Sequence, residues 1–208
     1  MSIENLSLSE LQKFEPHMPG LAGFPSRVLA TKYEDFIEVL YSDIDKIIYQ
    51  IEENPELRQT DTEDRLTIEI KNILCMIGYN ASHDSKVGGH TDILVKKNDF
   101  LWIGEAKIHS NYEWLWKGFQ QLSTRYSTGD CNQKNGGLFI YIRNKDAKSI
   151  LEEWKTRLNE KKLPNYICKQ CRKRPLSFFS SHKHESSGEL FIVRHMPVIL
   201  YFNPQDKK

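Results

Sequence analysis

Asp92, Glu105 and Lys107 are the residues whose types and spacing can do chemistry. Each interrupts a run of apolar and β-branched residues. One run is Gly88-Gly89-His90-Thr91-Asp92-Ile93-Leu94-Val95; the other is Phe100-Leu101-Trp102-Ile103-Gly104-Glu105-Ala106-Lys107. Between them lies Lys96-Lys97-Asn98-Asp99, a polar turn signal, so the whole reads as a β-hairpin. With Asn98-Asp99 as a two-residue turn, Lys97 faces Phe100, Leu94 faces Ile103 and Asp92 faces Glu105. Alternation by two puts Lys107 on the face of Glu105. Carboxylates about 5 Å apart across a strand pair repel. A hard divalent cation with oxygen ligands, such as magnesium, relieves that repulsion. Lys107 beside them supplies a fixed positive charge and a proton relay. An exposed hairpin with ordinary surface charges is the plainer alternative. Against it, the strands look buried, and buried charges need partners.

The flanking elements must position these groups. Apolar residues at Tyr33, Phe36, Ile37, Leu40, Ile44, Ile47, Ile48 and Ile51 predict an amphipathic helix over 32–54, ended by Asn54-Pro55. A second helix starts near Thr60, which has capping-box spacing to Glu63, and stops at Gly78. Its buried face is Leu66, Ile70, Ile73, Leu74 and Ile77, and Glu63, one turn before Leu66, points the same way. Capping alone would also explain Glu63, and Glu69 is the substitute acid. After the hairpin, a helix from Glu113 to Tyr126 carries Trp114, Trp116, Phe119 and Gln121, its aromatic residues read as core. Gly136 to Ile142 is a strand apolar on both faces. Asp146 to Leu158 is a surface helix, and 176–179, 190–193 and 198–202 are strand-like. A short helix near Ser9–Phe14 opens the chain. The order predicts an α/β layer arrangement with a mixed central sheet flanked by helices.

The totals set bounds. The chain has 208 residues, 39% apolar and 27% charged, with a formal net charge of +1. That suits one domain with an extension, the extension being helical and covering 1–55. Near-neutral charge neither requires nor excludes nucleic acid, since a cleft can be basic within a neutral total. No apolar run is long enough to span a membrane, and the first residues lack the regions of a signal peptide. The four cysteines then suggest no disulfide framework, and the cytoplasm is the expected location.

A strand Asp, a hairpin, Glu-x-Lys, an upstream helical Glu and a downstream Gln-bearing helix together resemble the PD-(D/E)XK nuclease superfamily. The wording of Gly89-His90-Thr91-Asp92-Ile93-Leu94-Val95 and Ile103-Gly104-Glu105-Ala106-Lys107 is similar to a small bacterial branch, some of whose members serve restriction or anti-phage defence. The resemblance implies a restriction-endonuclease-like fold over 56–208. It implies Asp92, Glu105, Glu63 and the carbonyl of Ala106 as ligands of Mg2+, with Mn2+ as a substitute, and Lys107 as the catalytic lysine. Gln121 takes the place of the glutamine in a Gln-x-x-x-Tyr helix. Here the pattern departs: Arg125 stands four residues on, and the tyrosine follows as Tyr126. Thr91 also replaces the proline before the motif Asp. The implied activity is magnesium-dependent hydrolysis of phosphodiester bonds, in DNA rather than RNA, by a protein held as a homo-oligomer or by a regulatory partner.

Two further features compete for attention. Cys168-Lys-Gln-Cys171 has zinc-knuckle spacing with His182 and His184 downstream, yet a single CxxC is common and zinc is not expected. Lys169, Arg172, Lys173 and Arg174 interleave with it as a solvated basic loop able to meet phosphate. The competing functions are a catalytically idle nuclease-like domain that binds nucleic acid or a partner subunit, and an interaction protein docking through the 32–54 helix.

Overall fold

The computed structural model describes residues 6–86 and 89–206, apart from the side chain of Lys86; Gly88 of the glycine pair lies outside them. Helix α1 (Leu8–Phe14) starts with a capping box, Ser7 and Glu10 bonding reciprocally. Helix α2 (Phe24–Leu29), unforeseen from sequence, carries Pro25 in its first turn, where the ring presets helical φ. Helix α3 (Tyr33–Glu52) and helix α4 (Glu63–Met76) follow. The cap of α4 is Thr62, whose hydroxyl accepts from Arg65 N, and not Thr60. Glu63 is therefore the first helical residue, and its carboxylate is not spent on a capping box.

Short strands β1 (Asn80–Ser82), β2 (Ser85–Lys86) and β3 (His90–Thr91) lead into β4 (Ile93–Lys97) and β5 (Phe100–Ile108). Helix α5 (Tyr112–Gln121) continues as one π turn over Leu122–Tyr126. Then come β6 (Asn135–Ile142), α6 (Ala147–Glu160), β7 (Ile167–Gln170), β8 (Phe178–Lys183) and β9 (Leu190–Ile199). Seven strands form one sheet in the order β1-β4-β5-β6-β9-β8-β7, with β2 and β3 paired separately. β6 lies parallel to β5 and β9, and the outer pairings are antiparallel. The result is a mixed α/β fold with a central sheet, flanked by the N-terminal helices.

Burial explains the layering. Trp102, Ala106, Phe139, Tyr141, Met196 and Val198 face the apolar stripes of α3 and α4. Ile103, Leu138, Ile140, Phe178 and Val193 face α5 and α6. Tyr41 ties α3 to the sheet, donating from its hydroxyl to Gly136 O at 3.0 Å. Among the described residues, no helix is long and apolar enough to cross a membrane.

The last strand is one continuous element, not the two expected. The apolar pattern breaks at Arg194 and His195, both buried but both partnered. Arg194 pairs with Asp45 of α3 at 2.9 and 2.8 Å, and His195 bonds Trp154 and Ser180. Pro197 is tolerated because β8 ends its pairing at His195. The N–H groups of Ile192 and Leu200 point to the β6 side, so the missing N–H of Pro197 falls on the open side.

Candidate active site on the open edge of β5

The hairpin register is the expected one: Lys97 opposes Phe100 and Leu94 opposes Ile103. Asn98, at φ 51°, takes the left-handed conformation that a tight two-residue turn demands. The pairing of Asp92 with Glu105 does not form, because the ladder ends at Ile93 and Gly104. Beyond that point β5 runs on with one edge open. Its Ala106 and Ile108 N–H groups need acceptors. Asp92 Oδ2 accepts from Ala106 N at 2.7 Å, and Glu63 Oε2 accepts from Ile108 N at 2.7 Å. The two acids thus meet at the strand edge through its backbone.

Lys107 lies where these acids converge. Its Nζ is 2.6 Å from Glu105 Oε1, 3.4 Å from Glu63 Oε1 and 3.9 Å from Asp92 Oδ2. It also donates to Ala106 O at 2.9 Å, so the ammonium engages the carbonyl expected to face an ion. The Glu105 and Lys107 side chains are buried, at 1% and 6% exposed, whereas Asp92 and Glu63 keep 22% and 25%. The site is a buried ion pair opening to solvent through two carboxylates. Gly118 of α5 makes room for it: a Cβ there would lie 2.9 Å from Lys107 Cγ. Trp114, expected in the core, is instead exposed, with its ring centroid 5.1 Å from Lys107 Nζ.

Three carboxylates around one ammonium leave an excess of negative charge. Burial first, then repulsion from Asp92, pushes the Glu105 carboxyl up to about 8. Burial likewise raises Asp92, against its bond from Ala106 N. For Lys107, burial favours the neutral amine, but the surrounding carboxylates outweigh it and raise the pKa. The cluster can shed charge by holding a proton on Glu105 or by taking up a cation. Glu105 Oε2 is buried without a hydrogen-bond partner. The donor chemistry, carboxylate and carbonyl oxygen, suits a hard cation. The acids are nonetheless turned toward N–H groups and the ammonium, and among the described residues no group of three or more His, Cys, Asp and Glu side chains is arranged to hold a metal ion.

Gln121 reaches the site through Tyr126. Its Nε2 donates to the Tyr126 hydroxyl at 3.0 Å, and that hydroxyl donates to His90 O at 2.7 Å, two residues before Asp92. The five-residue spacing, irregular for an α-helix, is the spacing of the π turn at Leu122–Tyr126. One inserted residue is absorbed there, and the two side chains meet. Sequence periodicity at 3.6 hides such a turn. Glu69 has another task, pairing with Arg58 at 2.6 Å through both oxygens.

The two cysteines lie in different surroundings. Cys168 is exposed on β7, while Cys171 is buried with Sγ 3.5 Å from Arg194. His182 and His184 instead pack on Phe119 and Phe191. Arg174 of the basic loop is buried and pairs with Glu52 at 2.7 Å. No protein-family model, curated protein or solved structure matches this chain.

Proposed function

We propose that this protein is a metal-dependent nuclease of the PD-(D/E)XK, restriction-endonuclease-like kind, hydrolysing phosphodiester bonds in DNA. The observation that carries the reading is the convergence of Glu63, Asp92 and Glu105 on Lys107 at an open strand edge. These residues come from α4, from β5 and from the bend between β3 and β4, and burying them without a use would only cost stability. A magnesium ion bound by Asp92, Glu105 and Glu63 would polarise the phosphate and lower the pKa of its water. The protein's own groups do the rest. Lys107, freed from Glu105, orients the attacking water and stabilises charge on the phosphoryl oxygens. Glu63 and Asp92, each about a quarter open to solvent, would hold the ion that positions the scissile phosphate. Gln121 and Tyr126 hold the His90–Asp92 segment against α5. The sequence resemblance supplies the proposed setting, restriction or anti-phage defence in bacteria, with a second copy or a regulatory protein as partner.

A second reading has its own support. Asp92 and Glu63 already satisfy the open N–H groups of β5, and Lys107 already neutralises Glu105, so the cluster also works as a closed internal salt bridge. On that reading the domain is idle and binds nucleic acid or a partner subunit. Titration with Mn2+, read by calorimetry, separates the two. The nuclease reading expects binding that Asp92→Ala abolishes. Equal and negligible heat from parent and variant would favour the idle domain.

A further inference from the structure

Asp92 leaves the sheet at a break in the strand pairing, and a side chain not yet assigned any role holds it there. β1 pairs with β4, and β2 with β3, in one register: Ser82 opposes Leu94 and Ser85 opposes Thr91. That register sets Asp84 opposite Asp92, and at this point neither pairing continues. Asp84 takes the left-handed conformation, at φ 53°, one that Asp and Asn enter more readily than most residues. The chain turns there from β1 into β2. Across from it, Asp92 turns from β3 into β4 and places its carboxylate on Ala106 N.

A backbone group that leaves a ladder needs another partner. The Asp92 carbonyl has His83 Nδ1 at 2.6 Å. A carbonyl oxygen can only accept, so the His83 proton is on Nδ1. Two further bonds fix the residues before Asp92. Tyr126 donates to His90 O at 2.7 Å from the α5 side, and Thr91 Oγ1 donates to Ser85 O at 3.2 Å. Neither touches the Asp92 peptide itself; His83 does. The carbonyl carbon and the side chain both leave the Asp92 Cα, so anchoring the carbonyl oxygen limits how far the carboxylate can swing.

We propose that His83 is a positioning residue: its Nδ1–H, by anchoring the Asp92 carbonyl where the ladder lapses, aims the Asp92 carboxylate at the open edge of β5 beside Lys107. Glu63 reaches the same edge by a separate route, from α4 onto Ile108 N. The consequence for divalent-ion affinity rests on the nuclease reading; the hold on Asp92 does not.

Amide hydrogen exchange, read residue by residue by NMR on the metal-free protein, reports that hold directly. Ala106 N–H has Asp92 as its acceptor and Ile108 N–H has Glu63, so Ile108 is the internal control. His83→Ala should speed exchange at Ala106 roughly 2- to 12-fold, the worth of one hydrogen bond, and leave Ile108 unchanged. General loosening of the fold would speed both. His83→Asn, whose side-chain N–H takes the place of Nδ1–H, should restore the parental rate. Calorimetric titration with Mn2+ is the second arm. His83→Ala should bind about 10- to 100-fold more weakly, the usual loss when a group that orients a metal ligand is removed, and His83→Asn should bind as the parent does. Unchanged exchange at Ala106 in His83→Ala, equal acceleration of Ala106 and Ile108, or no rescue by asparagine overturns the positioning role, whatever the titration shows. If Ala106 responds as expected but the parent takes up no Mn2+, the positioning role stands and the nuclease reading fails.

Discussion

Gly118→Ala tests the positioning of Lys107 without altering any charged residue. The added Cβ would lie 2.9 Å from Lys107 Cγ, 3.2 Å from Lys107 Cε and 3.2 Å from Leu138 Cδ1. Ordinary carbon contacts are about 3.5–4.0 Å, so the lysine stem must move by roughly 0.5–1 Å. The backbone has no objection, since Gly118 is inside α5 and alanine favours a helix by about 1 kcal/mol. Crowding in the core costs about 1–3 kcal/mol. The net change in stability is thus about 2 kcal/mol at most, a shift of only several degrees in Tm. Catalysis is less forgiving. A misplacement near 1 Å costs on the order of a hundredfold. The expected result is a folded protein with nearly parental Tm and cleavage of an oligonucleotide in Mg2+ reduced about a hundredfold. Parental cleavage by a folded Gly118→Ala protein would refute the claim that Lys107 must sit where it does.

Other perturbations follow from the same geometry. Tyr126→Phe removes the bonds to Gln121 and His90; it should cost about 1–2 kcal/mol in denaturant unfolding and lower cleavage by loosening the segment before Asp92. Asp45→Ala strands the buried Arg194 guanidinium, which should cost about 3–5 kcal/mol and lower Tm by roughly 10 °C; an unchanged Tm would mean the pair is dispensable. His195 gives a pH signature. Burial depresses it from 6.5 to about 3, so between those values the unfolded chain binds a proton that the folded one does not. Stability is full above pH 6.5 and falls as pH drops toward 3, by roughly 4–5 kcal/mol in all. His195→Gln should flatten that acid limb in urea unfolding measured from pH 7 to 4.

Much of the architecture was legible because apolar periodicity reports burial directly. The stripe from Tyr33 to Ile51 gave α3, and the hairpin register followed from Asn98-Asp99. What stayed hidden depended on distant partners. Arg194 and His195 read as a break in a strand until Asp45, Trp154 and Ser180 arrive to satisfy them. β7 is exposed throughout, so it has no apolar pattern to read. Within the candidate site, residue types and the hairpin placed Glu105 and Lys107 on one face. The sequence could not reveal that Asp92 would bond Ala106 N instead of opposing Glu105. That depends on where the β4–β5 ladder stops. Nor could it show the π turn, which changes the residue count between Gln121 and Tyr126 without changing their types.

The central claim is that the acids around Lys107 serve phosphodiester hydrolysis. Its most direct test incubates the parent and Lys107→Ala with single-stranded DNA, double-stranded DNA and RNA, each in Mg2+ and in EDTA, and resolves the products on a denaturing gel. The account predicts cleavage of DNA by the parent in Mg2+ alone, and none by a folded Lys107→Ala protein. Cleavage that persists in EDTA or survives the substitution, or no cleavage of any substrate by the parent, would contradict it.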